Sequence, residues 1–165
     1  MNSESSSSIP KKVYITSVPH TEQLAIALEI LKKYPDLNLT PTIVLNLNAN
    51  RSDTPRDSKN FEKQAIEYWK RFWKVLPPSA IFEHELIGTF LVMGALAPIF
   101  NTKIDGRPLA KMANGPRNIL RGLGIGEVQT TKYVNSLAEG RHMLIVRVFQ
   151  NKLKLLEKAL EVLKR

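Results

Sequence analysis

Five cations between positions 103 and 121 come nearest to chemistry by type and spacing: Lys103, Arg107, Lys111, Arg117 and Arg121. Arg117 and Arg121 stand four apart, so a helix projects both from one face. Gly115-Pro116 would open that helix, and the free N–H groups of a helix amino end favour an anion. With Arg107 or Lys111 converging there, the group would take a phosphate or a carboxylate. Without that convergence it is a set of solvated cations on an exposed turn.

A second constellation mixes rings and charge. Tyr68, Trp69, Phe72 and Trp73 are interleaved with Lys70, Arg71 and Lys74, a composition suited to stacking against nucleic-acid bases. Aromatics at helical spacing also make core stripes and oligomer interfaces, and a homodimer through this stripe is the interface reading. The same helix could lie on a membrane surface, against which Glu62 and Glu67 argue.

Other residue types offer less. His20, His84 and His142 are isolated in sequence, and no pair has metal-ligand spacing. Asp53, Asp57 and Asp105 fall in turns or caps, and no paired carboxylates stand out for acid–base work. Gly122, Gly124 and Gly126 suggest a phosphate loop, but a dinucleotide fingerprint needs a preceding strand and a later third glycine. No metal, cofactor or catalytic residue is therefore expected.

The formal charge of +9 over 165 residues admits nucleic acid, anionic lipid or acidic ligands as partners. It is spread along the chain, as expected of helix faces kept soluble by mixed charge. An apolar fraction of 43% excludes a disordered chain. With no cysteine there is no disulfide framework and no thiol nucleophile, which fits a cytoplasmic protein. Residues 1–10 (MNSESSSSIP) read as a flexible serine-rich tail, and residues 11–165 as one α+β domain. The uncharged stretch Leu86–Thr102 is interrupted by Gly88, Gly94 and Pro98. It falls short of the roughly 20 apolar residues of a spanning helix, so no transmembrane segment is expected.

These residues sit on a readable series of elements. Lys11–Val18 alternates as a strand ended by Pro19. Thr21 would cap a helix with Leu24, Ala27, Leu28 and Leu31 on its core face. Leu39–Leu47 is a second strand, with Pro41 suggesting an edge position or a bulge. After a polar connector at Ala49–Ser58, residues 58–76 form an inserted aromatic helix capped by Asp57 or Ser58. A third strand lies within Ile81–Met93, with a buried helix as the rival reading of that apolar run, and Asp105-Gly106 is a turn. The stretch 120–149 then reads as glycine-marked turn, helix, Gly140 stop and apolar strand. In that helix Val128, Thr131, Val134, Leu137 and Ala138 form the inner face. Leu153, Leu156, Leu160 and Leu163 mark a last amphipathic helix. Strands separated by helices imply a ferredoxin-like antiparallel sheet of about four strands backed by helices.

Leu120, Leu123, Gly124, Ile125, Tyr133, Leu137, Gly140, Leu144, Val146 and Val148, with Leu91–Leu96 upstream, resemble the C-terminal half of bacterial general stress proteins of the heat-induced type. The likeness covers about a quarter of the chain, and its positions are turn and core residues. It implies a ferredoxin-like α+β fold and a stress-linked role, and carries over no catalytic residue. The leading functional expectation is a non-enzymatic module that binds a small anionic ligand or a partner. The alternatives are a nucleic-acid or polyanion binder, and an enzyme on a small anionic substrate that would enlist His84 or Glu85.

Overall fold

A computed structural model of the chain describes residues 9–48 and 55–164, with side chains from residue 60 onward in the second stretch. Most of the serine-rich tail and residues 49–54 of the polar connector lie outside the described residues. The first half comprises β1 (Lys11–Val18), α1 (Thr21–Lys32), β2 (Thr40–Asn46), α2 (Pro55–Trp69), β3 (Ser79–His84) and β4 (Gly88–Gly94). The second comprises α3 (Ala97–Phe100), β5 (Lys103–Ile104), β6 (Arg107–Pro108), α4 (Gly115–Gly122), α5 (Glu127–Ala138), β7 (His142–Phe149) and α6 (Leu153–Ala159).

Five strands form one antiparallel sheet in the order β1-β7-β2-β4-β3, and β5 and β6 make a separate small hairpin. The α+β architecture with an antiparallel sheet backed by helices is thus as read from the sequence, with five main strands in place of about four. The chain makes two interleaved split crossovers. β1 and β2 flank β7, while β4 and β7 flank β2. The closing strand of each crossover therefore lies inside the sheet, and β3 extends it beyond β4.

Helices cover both faces. Leu24, Ala27, Leu28 and Leu31 of α1 pack with Trp69, Phe72, Leu156 and Leu160 over Tyr14, Leu45, Leu91, Leu144 and Val146. On the other face, Phe100, Ile119, Leu120 and Leu137 pack over Val44, Phe90, Val92, Met143 and Ile145. A sheet buried on both sides requires strands that are apolar on both sides. This is why Gly88–Gly94 and His142–Phe149 are nearly continuous apolar runs.

Local outcomes depart from expectation at five places. Pro41 lies in an interior strand, opposite Val146. Leu47 N–H donates to Thr89 C=O, so odd residues of β2 face β4. The β2–β4 ladder begins one residue later, at Thr42 opposite Gly94. The N–H that Pro41 lacks would thus point past the ladder's end, and no bond is lost. Gly94 has φ +128, and a Cβ there would lie 2.3 Å from the Pro41 carbonyl oxygen, so only glycine lets the strands meet.

The expected third strand is two strands. The turn between them is held by the buried His84, whose Nδ1 accepts from the Leu86 and Ile87 amides at 3.0 and 3.3 Å. In α5 the inner face is rotated: Thr130 and Leu137 are buried, whereas Val128 is 80% exposed. The Thr130 hydroxyl donates to Ile125 C=O at 3.3 Å on that buried side. The aromatic helix starts at Pro55, so Asp57 and Ser58 lie within its first turn, and it passes at Lys70–Phe72 into a 3-10 turn. His20 is the N-cap of α1, and its amide donates to Gln23 Oε1 at 3.1 Å.

Candidate ligand-binding cleft

The aromatic stretch divides between core and cleft. Trp69 and Phe72 are buried, with ring centroids 5.4 Å apart, and they join the core beneath α1 and α6. Tyr68 remains exposed and stands edge-on to Trp69 at 5.0 Å. The chain leaves helical geometry at Trp73, which has φ −111 and ψ 143. The second indole is only partly buried against that core and also borders the space at the end of α1.

There a cleft of about 500 Å³ opens between the C-terminal turn of α1, the segment after it, and residues 71–74. Leu28, Leu31 and Phe72 form apolar surface within it, Tyr34 and Trp73 add ring surface, and Lys32, Arg71 and Lys74 supply cations. The 3-10 turn Pro35–Leu37 brings Tyr34 round. Asn38, in the left-handed region at φ 52, redirects the chain into β2. The Arg71 guanidinium lies 4.1 Å from the Tyr68 ring centroid and 5.2 Å from that of Phe72. Lys32 Nζ sits 5.4 Å from the Phe72 centroid. Such stacking holds a guanidinium in place while leaving its N–H edge for an anion.

Two nearby carboxylates are already engaged, Glu67 with Lys70 at 2.9 Å and Glu29 with Lys32 at 3.5 Å. Among the described residues, none lining the cleft is acidic and none is a histidine. Its described lining thus offers cations, rings and aliphatic surface.

A larger opening of about 670 Å³ runs along the free edge of β1. Its charges oppose one another: Lys132, Arg141 and Lys164 face the same space as Glu139 and Glu157. Its backbone acceptors are partly taken, since Tyr133 OH donates to Ile15 C=O at 3.1 Å and Arg141 donates to Ser17 C=O at 3.2 Å. Burial raises the pKa of both Tyr14 and Tyr133 above the usual tyrosine value, so both stay protonated. Volume favours this opening, but charge and free donors favour the smaller cleft.

The basic residues singled out near position 117 are distributed over several elements. Arg107 is in β6 and Lys111 in a 3-10 turn. Arg117 donates to Thr131 Oγ1 at 2.6 Å and lies 3.6 Å from Glu127, while Arg121 reaches Ile125 C=O at 3.3 Å. Both arginines thus tie α4 to the α5 segment. Gly115 donates its N–H to Met112 C=O at 2.9 Å, and Pro116 has none to offer. The small hollow at this helix start is lined by Leu109, Met112 and Asn118, among others, and none of the five cations borders it.

The histidines are also accounted for. His84 Nε2 lies 3.0 and 3.1 Å from Met112 C=O and Ala113 C=O. Because Nδ1 accepts from two amides, Nε2 carries the proton and donates, so the ring joins the β3–β4 turn to the segment before α4. Both nitrogens of the acid–base candidate are committed to backbone. His142, 7% exposed, accepts at Nδ1 from the Asn46 amide at 3.1 Å. Its pKa is held below 6.5, chiefly by burial and then by nearby His20.

Sequence reasoning missed Lys32 and Tyr34. Comparison with family models, characterised proteins and solved structures returned no match. The fold and the cleft are therefore the basis for any functional reading.

Proposed function

We propose that this protein is a non-enzymatic binding module whose ligand is a small anion carrying a flat or apolar body. One observation carries the reading: Lys32, Arg71 and Lys74 border an apolar, aromatic cleft that no acidic residue lines among the described residues. Its size falls within the range of about 300–1,000 Å³ typical of small-molecule sites. Phe72 and Trp73 would stack or pack on the body of the ligand, and Arg71 would hold its anionic end. A stress-related role rests on the resemblance of residues 120–149, and a cytoplasmic setting on the lack of cysteine. A homodimer would have to use what the core leaves of the aromatic stripe, Tyr68 and part of Trp73.

Calorimetric titration with 1-naphthyl phosphate, inorganic phosphate and 1-naphthol tests the reading. The phosphate ester should bind most tightly, and Arg71→Glu should weaken it by about tenfold or more, the effect of roughly 1.4 kcal/mol. Equal, negligible heats for all three ligands would remove the proposal. A single-stranded oligonucleotide that binds better than the ester, with a steep salt dependence, would favour the polyanion alternative.

A further inference from the structure

Immediately beyond the cleft the chain carries two aliphatic side chains into solvent. Val75 is 79% exposed and Leu76 72% exposed. Scattered apolar residues are ordinary on a protein surface, but adjacent ones on a pinned projection are not. This projection is held at both ends. Trp73 N–H donates to Lys70 C=O at 3.1 Å, and Pro78 C=O accepts from Gly94 N–H at 2.9 Å. Pro77 is buried and Pro78 follows it, so the returning backbone has little freedom. Lys74 lies beside the two aliphatics, Trp73 precedes it, and Arg71 and Lys32 border the cleft behind. Among the described residues, neither Arg71 nor Lys74 has a carboxylate partner.

We propose that residues 73–76 form a docking tip for an anionic lipid surface. Val75 and Leu76 enter the boundary between headgroups and acyl chains, Trp73 lies at the headgroup level, and Lys74 and Arg71 meet the lipid phosphates and carboxylates. Aliphatic groups that gain a hydrocarbon environment drive the insertion. Indole rings favour the interface, and cations beside an anionic leaflet add attraction that salt weakens. Charge complementarity selects the occupant, since the tip and the adjoining cleft present cations on a chain of formal charge +9. The inference shares with the preceding functional reading only the cations and the Trp73 ring.

The full chain should sediment with vesicles of phosphatidylcholine plus phosphatidylserine, and far less with phosphatidylcholine alone. Trp73 emission should shift to the blue on binding. Val75→Ser/Leu76→Ser should weaken vesicle binding by about tenfold or more, while leaving 1-naphthyl phosphate binding unchanged. Because both side chains are exposed, this variant keeps the fold, and its thermal transition serves as the control. Wild-type protein that stays in the supernatant with anionic vesicles would overturn the proposal. So would a double-serine variant that binds them as wild type does, since the tip would then contribute nothing. Vesicle binding that survives alongside a failed naphthyl phosphate titration would remove the cleft ligand and keep the tip.

Discussion

His142 and Trp69 show how one side chain can carry a measurable share of stability. The His142 ring is buried at the rim of the sheet, and its Nδ1 can accept from the Asn46 amide only while unprotonated. Its folded pKa lies below 6.5, chiefly through burial, with His20 and Arg141 acting in the same direction and Glu22 against it. The unfolded chain therefore takes up a proton that the folded chain resists. The contribution of this group is intact above about 6.5 and is lost as pH falls toward the lower folded value. Urea midpoints measured from about pH 7 to about pH 5 should fall in the wild type and fall less in His142→Gln. A slope identical in the two proteins would assign the loss to other groups.

Trp69 and Trp73 should separate in the same way. Trp69→Ala empties a buried site and should cost about 3–5 kcal/mol of stability. Trp73→Ala should cost far less, but should weaken 1-naphthyl phosphate. Stability losses of equal size would mean that Trp73 is as much a core residue as Trp69. The stripe was visible in the sequence. Which rings point inward was not, because that depends on where helical geometry stops. The stop at Trp73 is a backbone event, four residues before the first proline after it.

Among the elements, β1 is the edge strand nearest the termini. Its odd residues turn their backbone groups away from β7, as the Gln150 N–H bond to Pro10 C=O requires of the ladder. Two of those outward acceptors, on Ile15 and Ser17, are taken by Tyr133 and Arg141. An exposed strand edge invites pairing with another chain, and occupied carbonyls discourage it. Tyr133→Phe/Arg141→Ala should consequently self-associate at concentrations where the wild type does not, as measured by sedimentation velocity. An unchanged distribution of species would mean that the flanking helices alone protect the edge.

Most elements were legible because pattern and punctuation agreed, as for β1, α1, β7 and α6. The β3–β4 turn was not, because it has no proline and its only glycine begins the next strand. It is built from the His84 ring, and a side chain that stands in for turn chemistry leaves no mark in hydrophobic alternation. Likewise, α5 buries Thr130, whose hydroxyl donates to Ile125 C=O. Periodicity alone placed Val128 inside, whereas it is 80% exposed.

For the whole molecule, sheet order determines what can be read locally. The cleft joins Lys32 and Tyr34, at the end of one crossover helix, to Arg71 and Trp73 some forty positions later. The sequence showed the second pair as a basic aromatic group and had no means of showing the first. The long uncharged stretch at 86–102, examined as a membrane segment, is instead β4 followed by α3. Among the described residues no helix is long and apolar enough to cross a membrane. The near-continuous apolar runs reflect a sheet covered on both faces.

The position of β7 also bears on how the protein is made. The strand paired with both β1 and β2 follows both of them in the chain, so a nascent chain emerging from the ribosome would lack the strand between those two until residues 142–149 arrive. Closing such long loops is slow compared with forming local hairpins. Until β7 is in place, then, the facing edges of β1 and β2 stay unpaired, and the sheet cannot close.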